Sequence, residues 1–316
     1  MGVGEKLEQT GGVRFVQARR FPKSPSGYMQ NIESVQEMRS LAAQFKQAGK
    51  SVALVSTSGA LHAGHAALIT LAKSRADVVV VSLFANPLAF GPSENFARYP
   101  RTPEADILMC QELKADVVFR PAAEEMFPRG YSTYVTEEAV SKPLCGVSRP
   151  SHFRGVTTGI AKLVTIVRPE ILVMGQRDAQ QVAVVRKMIA DLCLGAEVVV
   201  APTVREADGL AVTVRNRDLT PRQRQEALSI YAALQRAQEM VAQGTRSPDR
   251  IIAEATHLLG QRRMLRVIYV LMVDPNTMEP MREVVPGKTL LAIAAWVEEV
   301  RVIDNVLLWA ENLVES

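Results

Sequence analysis

Two apolar runs, Val52-Ala53-Leu54-Val55 and Val78-Val79-Val80-Val81, have the length of a strand and no polar interruption. Unbroken runs of this kind suit strands covered on both faces. They extend to strands over 52–56 and 77–85, and 117–119, 171–174 and 197–201 read the same way. Segments with apolar residues at helical spacing lie around them: 32–48, 65–75, 103–114, 155–167 and 178–192. A long irregular stretch covers 120–152. Five strands alternating with helices predict a doubly wound parallel α/β sheet, whose ligands bind beyond the carboxyl ends of the strands. Polar clusters follow those ends at 56–65, 86–101, 175–181 and 203–216, so these loops are expected to build one site.

The texture changes near residue 204. Thr220-Pro221 is an N-cap followed by proline at the first helical position, and it opens a long helix to about residue 243. Ser247-Pro248 opens another helix, and 265–273 and 289–294 read as strands. The expected division is an N-terminal extension over 1–27, a Rossmann-like domain over 28–203 and a smaller α+β domain over 204–316 that closes over it.

Composition narrows the function. The chain has 316 residues, a formal charge of +4 and no basic run interleaved with aromatics, which argues against nucleic acid. No segment approaches the ~20 apolar residues of a membrane span, and residues 1–27 lack a signal-peptide core. Cys110, Cys145 and Cys193 are odd in number and far apart, which fits a reducing cytoplasm without a disulfide or zinc framework. Cys110 and Cys193 are expected in helix cores. Cys145 falls in a loop and His257 on a helix surface, and neither is assigned a role.

The chemistry concentrates around His62-Ala63-Gly64-His65, between the first strand and a helix start near residue 66. Two histidines three apart beside a helix N-terminus form an anion site suited to a polyphosphate. Gly59 and Gly64 would let backbone approach that ligand. A bland reading also stands, two histidines packed in a turn. Likewise Asp178 could merely cap its helix, Arg215 could be a surface charge, and Asn86-Pro87 could be a turn.

Several motifs in order carry a resemblance. They are 57–65 (Thr-Ser-Gly-Ala-Leu-His-Ala-Gly-His), 86–91 (Asn-Pro-Leu-Ala-Phe-Gly), 99–102 (Tyr-Pro-Arg-Thr), 152–156 (His-Phe-Arg-Gly-Val), 175–181 (Gly-Gln-Arg-Asp-Ala-Gln-Gln), 205–210 (Arg-Glu-Ala-Asp-Gly-Leu) and 301–305 (Arg-Val-Ile-Asp-Asn). Together they resemble the pantoate–β-alanine ligases over nearly the whole chain. The resemblance implies a nucleotidyltransferase-like Rossmann domain, a C-terminal lid and a homodimer. It also implies an ATP-dependent reaction in which a carboxylate forms an acyl adenylate and an amine then displaces AMP, with Mg²⁺ carried by ATP and no metal cage in the protein. His62, His65, Arg177 and Arg215 would be catalytic. Thr57, Gly59, Gly175, Asp178, Thr213 and Val214 would join them in binding ATP; Ser58, Asn86, Ala89 and Gln181 would bind the acid. His152 is a further candidate.

The chain also departs from the family's pattern. Ser56-Thr57-Ser58-Gly59 stands where the pattern has Pro-Thr-Met-Gly, and Ala89 stands where it has glutamine. Gln176-Arg177 replaces Glu-Lys, and Thr213-Val214 replaces Ser-Ser. Ser58 and Ala89 fall on the acid side, so an acid other than pantoate is one reading. A nucleotidyltransferase that stops at adenylyl transfer and a nucleotide-binding relative without turnover are two others.

Overall fold

The computed structural model describes residues 29–91 and 96–309. The extension expected over 1–27 lies outside them. The first part is built in chain order from β1 (Gln30–Ile32), α1 (Val35–Gln47), β2 (Val52–Thr57), α2 (Ala63–Lys73), β3 (Val78–Leu83), α3 (Pro103–Glu112) and β4 (Val117–Phe119). Two four-residue helices follow, α4 (Ala123–Met126) and α5 (Cys145–Ser148). Then come α6 (His152–Val167), β5 (Ile171–Gly175), α7 (Ala179–Asp191) and β6 (Glu197–Ala201). All six strands pair in parallel, in the order β1-β4-β3-β2-β5-β6.

Strand pleating explains the unbroken apolar runs. Val52 and Leu54 of β2 face the core covered by α1, α6 and α7, while Ala53 and Val55 face the core covered by α2 and α3. The strand order reverses between β2 and β5. That reversal opens a crevice at the carboxyl ends of these two strands, and the loops 58–62 and 176–178 meet there.

β1 is a strand that the periodicity reading lacks; only its last residue, Ile32, falls in the helix expected from 32. Gln30 and Asn31 are exposed while Ile32 joins the core with Phe119, so the three residues carry no strand signal of their own. The helix starts at Val35, where Ser34 caps it by accepting the Glu37 N–H. Cys110 is in the core as expected. Cys193 is not: it is exposed, at φ +51°, just beyond the end of α7.

The second part contains α8 (Pro221–Ala242), α9 (Pro248–Gly260) and an antiparallel sheet of β7 (Leu265–Val273), β8 (Leu290–Val297) and β9 (Val300–Leu307). Both expected helix starts are present, Thr220 with a full capping box to Gln223 and Ser247 bonded to Arg250. This sheet has two covered faces. Leu291, Ile293, Ala295 and Val297 pack with α8 and α9, while Leu290 and Ala292 join the core of the parallel sheet. β9 escapes the apolar pattern because Arg301, Asp304 and Asn305 are buried polar residues within it.

Those polar residues tie the two parts together. Asp304, 4% exposed, receives both Arg205 Nη1 at 2.6 Å and Nη2 at 3.1 Å. Asn305 Nδ2 donates to the Gln176 and Arg177 carbonyls at 3.1 and 2.8 Å, and Gln176 Nε2 donates back to Asn305 Oδ1 at 3.0 Å. The loop after β5 is therefore held from the second sheet.

Candidate active site

The turn after β2 reverses the chain into α2 within five residues, and a single carboxylate holds it. Asp106, in the first turn of α3, is 3% exposed. Its Oδ2 accepts the Ala60 N–H at 2.9 Å, and its Oδ1 accepts the Leu61 N–H at 2.8 Å and the Thr102 hydroxyl at 3.0 Å. Ala60 is left-handed at φ +52°, a conformation that costs a non-glycine residue about 1 kcal/mol or more. Gly59, at φ +81°, precedes it, and a Cβ there would approach Asp106 Oδ2 to 3.1 Å. Thr57 completes the turn by donating its hydroxyl to the Ser82 carbonyl and accepting the Gly59 N–H. Gly59 thus serves the turn and lines neither cavity lobe described below.

The histidines sit differently from the sequence reading. α2 begins at Ala63, so His62 is its N-cap and His65 its third residue. His62 Nδ1 accepts the Gly64 N–H at 3.2 Å, and His65 Nδ1 accepts the His62 N–H at 3.3 Å. With both Nδ1 atoms accepting, each neutral ring carries its proton on Nε2. The rings lie 4.0 Å apart. Gly64 makes room for the His62 ring, which a Cβ would approach to 2.9 Å, rather than for a ligand. The Gly64 N–H expected to meet an anion is already satisfied by His62. What the pair offers is two Nε2–H donors.

Both rings are neutral near pH 7. Burial, reinforced by Arg177 and Arg217, lowers His62 from 6.5 to about 4. Burial, with His62 and Arg177, lowers His65 to about 3. The fixed positive charge of the site comes instead from arginines. Arg177 follows β5 and rests against the neighbouring Asp178 at 3.1 Å. Asp178 occupies the N-cap position of α7 but makes no side-chain capping bond, so capping is not its task. From the second part comes the short helical turn Val214–Asp218, carrying Arg215. Asn216 holds that turn by donating to Glu206 and to the Ala211 carbonyl, and Arg224 ties Glu206 and Asp208 together behind it.

A cavity of about 310 Å³ receives these groups. Thr57, Ser58, His62, His65, Asn86, Ala89, Arg177, Asp178, Gln181, Thr213, Val214 and Arg215 line it. A second lobe of about 130 Å³ continues from His62 and His65 past Gly175 to Thr203, whose buried hydroxyl has no partner among the described residues.

Phe84, Phe90, Val156, Ile160 and Leu163 give the cavity an apolar lining. Gln181 faces it with an amide that makes no hydrogen bond among the described residues. Its neighbour Gln180 is spent on structure, bonding the Cys145 N–H and the Val140 and Pro143 carbonyls. Burial raises the pKa of Tyr99, a half-buried phenol, and Ser58 lies close enough to it to lower that pKa in part. Asn86 is committed to the protein, accepting from the Leu88 N–H and donating to the Gly155 carbonyl at 2.7 Å. The Ala89 carbonyl accepts from Arg149 at 3.3 Å and lies 2.8 Å from His152 Nδ1, so that nitrogen must carry the proton.

Sequence reasoning assigned no role to Asp106, Thr203, Arg217 or Arg301, although Thr203 falls in a polar cluster and Arg301 in a matched motif. Asp106 looks like any first-turn helix acid until residues 59–61 fold against it, and Arg301 looks like a surface charge until β9 is buried.

A family model described as Pantoate-beta-alanine ligase matches residues 30–307. The pantothenate synthetase of Moorella thermoacetica is 44% identical over 89% of this chain and 99% of its own length. That of Thermotoga petrophila is 43% identical over 89% of this chain and all of its own length. The crystal structure of pantothenate synthetase from Thermus thermophilus superposes with a TM-score of 0.84 at 38% identity, covering 89% of this chain and all of that one. A Francisella tularensis pantoate-β-alanine ligase, complexed with β-γ ATP and β-alanine, gives 0.73 at 28% identity, covering 89% of this chain and 98% of that one.

Two outcomes are expected from this geometry. Asp106→Ala leaves two buried N–H groups without an acceptor and should cost about 2–4 kcal/mol in urea unfolding. A loss below the error of the measurement would mean that the turn holds itself. The second outcome concerns pH. The unfolded chain takes up protons on both histidines below about 6.5, whereas the fold resists them down to about 4 and 3. Stability should therefore fall as pH drops from about 6.5 towards 3. His65→Gln keeps an acceptor for the His62 N–H and should flatten part of that slope; urea midpoints between pH 7 and 4 would show it.

Proposed function

The chain belongs to the pantoate–β-alanine ligase family, and on that premise we propose which of its residues perform the two steps. It is an ATP-dependent ligase. In the first step a carboxylate oxygen of the acid attacks the α-phosphorus of ATP; the O–P bond forms as the bond to pyrophosphate breaks. In the second the nitrogen of β-alanine attacks the acyl carbon; the C–N bond forms, the C–O bond breaks, AMP leaves with the electron pair and the nitrogen loses its proton.

One observation carries the assignment of roles. At the β2–β5 crevice two neutral Nε2–H donors, Arg177 and Arg215 converge on a cavity that an unspent amide, Gln181, also faces. Phosphate oxygens would take the His62 and His65 donors and the two guanidinium groups, which stabilise charge on a pentacoordinate phosphorus without offering a nucleophile. The nucleoside would occupy the lobe towards Thr203, with Asp178 at the ribose and Gly175, Thr213 and Val214 beside it. The acid would lie along Val156, Ile160 and Leu163 with Gln181 on its polar end, which suits a branched acid carrying a hydroxyl. Magnesium would enter as part of the MgATP substrate, held chiefly by phosphate oxygens and water, with Asp178 the carboxylate that lines the main cavity among the described residues.

Ala89 and Ser58 favour a second reading of the acid. No glutamine amide reaches in from residue 89, and Ser58 lies close to Tyr99, so the acid is gripped from one side only. Pantoate would then be used less well than a bulkier or less hydroxylated acid. We further propose that the protein works in the cytoplasm as a homodimer. The free cysteines Cys110, Cys145 and Cys193 support the first and the family resemblance the second. Among the described residues no helix is long and apolar enough to cross a membrane.

The test is acid-dependent pyrophosphate release from ATP across a panel of acids, followed by AMP and amide formation when β-alanine is added. His62→Ser keeps an N-cap but removes the Nε2–H donor, and it should slow adenylate formation by about a hundredfold or more. Normal turnover in that variant would remove His62 from the phosphate site. Pyrophosphate release that yields an adenylate stable to amines would instead identify an adenylyltransferase. Ala89→Gln should shift kcat/KM towards pantoate by about 1–3 kcal/mol, the value of one well-made polar contact. Full pantoate activity in the wild type, lowered by Ala89→Gln, would show a loop rebuilt around the same acid.

A further inference from the structure

Arg301 is a buried cation that the phosphate machinery does not use. It lies on β9, 9% exposed. Its Nε is sealed from solvent without an acceptor, and its Nη2 meets only the Cys145 thiol, at 3.3 Å. That thiol is also 3.3 Å from the Tyr269 hydroxyl, so the neighbours of the guanidinium are uncharged donors or weak acceptors. No carboxylate pairs with Arg301 among the described residues; Asp304, three residues on, is taken by Arg205. A buried guanidinium without an anion costs several kcal/mol, which hydrophobic replacement would recover. The chain nevertheless keeps one here.

Its position indicates the anion. Arg301 lines both the main cavity and a side chamber of about 60 Å³ behind it. The chamber is walled by Leu144, Phe153, Leu290 and Ala292 and runs from Arg301 towards Asp178 and Gln181. A triphosphate does not fit that volume; a molecule of a few heavy atoms does. The acid's carboxylate is consumed at phosphorus in the first step. The amino-acid substrate alone brings a carboxylate that survives both steps. The chamber is also lined by Arg149 and Arg177, and by the carboxylates Asp178 and Asp304 that pair with Arg177 and Arg205. Arg177, already paired with Asp178, is less able to take the substrate's carboxylate.

Resting on the ligase reading above, we infer that Arg301 binds the carboxylate of the amino-acid substrate at the side chamber, with its amine directed into the main cavity. The planar fork of Arg301 meets a carboxylate through two parallel N–H groups, a geometry that lysine lacks. The site therefore selects short amino acids over plain amines.

The test compares β-alanine with propylamine, a similar-sized amine without a carboxylate, by amide formation in the presence of ATP and the acid. The wild type should prefer β-alanine by at least about a hundredfold in kcat/KM, since a site built for a polar group rejects the analogue lacking it. Arg301→Gln should raise the KM for β-alanine and bring that preference to within a few fold, with Arg301→Lys between them. A ligand-binding cation is not needed by the fold, so the thermal midpoint of Arg301→Gln should be no lower than that of the wild type. The inference is overturned if the variant keeps the wild-type KM and preference, if its loss falls on the KM for ATP, or if the wild type uses propylamine equally. Wild-type protein that releases no acid-dependent pyrophosphate would overturn the ligase reading and this inference together. Release with an unchanged preference would overturn the Arg301 assignment alone.

Discussion

The bidentate grip of Asp106 on the Ala60 and Leu61 N–H groups is the interaction on which the site depends. The chain leaves β2 at the crevice and must enter α2 at once, through one left-handed glycine and one left-handed alanine. Neither backbone N–H could be left buried and unmatched without a loss of about 1–3 kcal/mol. A carboxylate from α3 satisfies both, and it offsets the strain at Ala60. The consequence is positional: His62 arrives as the N-cap of α2, with its ring over Gly64. The two Nε2–H donors facing the cavity are thus an extension of a helix cap.

That origin sets the character of the site. Rings whose Nδ1 atoms serve as acceptors are held neutral by burial, so they give directed hydrogen bonds without charge. Fixed charge comes from Arg177 and Arg215, one on each part of the molecule. Arg177 is tempered by Asp178. Arg215 depends on the Asn216, Glu206 and Arg224 network for its place. On the proposed assignment, these two kinds of donor would let the cavity attract a polyanion while aiming specific N–H groups at the oxygens where charge develops.

The second sheet bears on both. Because Leu290 and Ala292 join the core of the parallel sheet, β8 belongs to two cores, and Asn305 on β9 holds the carbonyls of the loop carrying Arg177. An apolar interface backed by buried hydrogen bonds resists free domain motion more than the usual polar one.

By itself the sequence determined the parallel sheet, most helix starts and the motif order that identifies the family. Apolar runs, Ser-Pro and Thr-Pro caps and glycine-rich turns are local signals, and local physics reads them out. It also marked the residues lining the cavity, since polar clusters after strand ends have few other uses. Only the tertiary structure decided what those residues do. His62 reads as a helix-face ligand and is a cap; Gly64 reads as room for phosphate and is room for a ring. Asn86 reads as a substrate contact and is spent on the Gly155 carbonyl. β1 left no signal because it is three residues long with Gln30 and Asn31 exposed. Asp106, Arg301 and the polar face of β9 were silent for another reason: their signal is the burial of polar groups against partners distant in the chain, and no local pattern records which carboxylate or thiol a distant strand will bring.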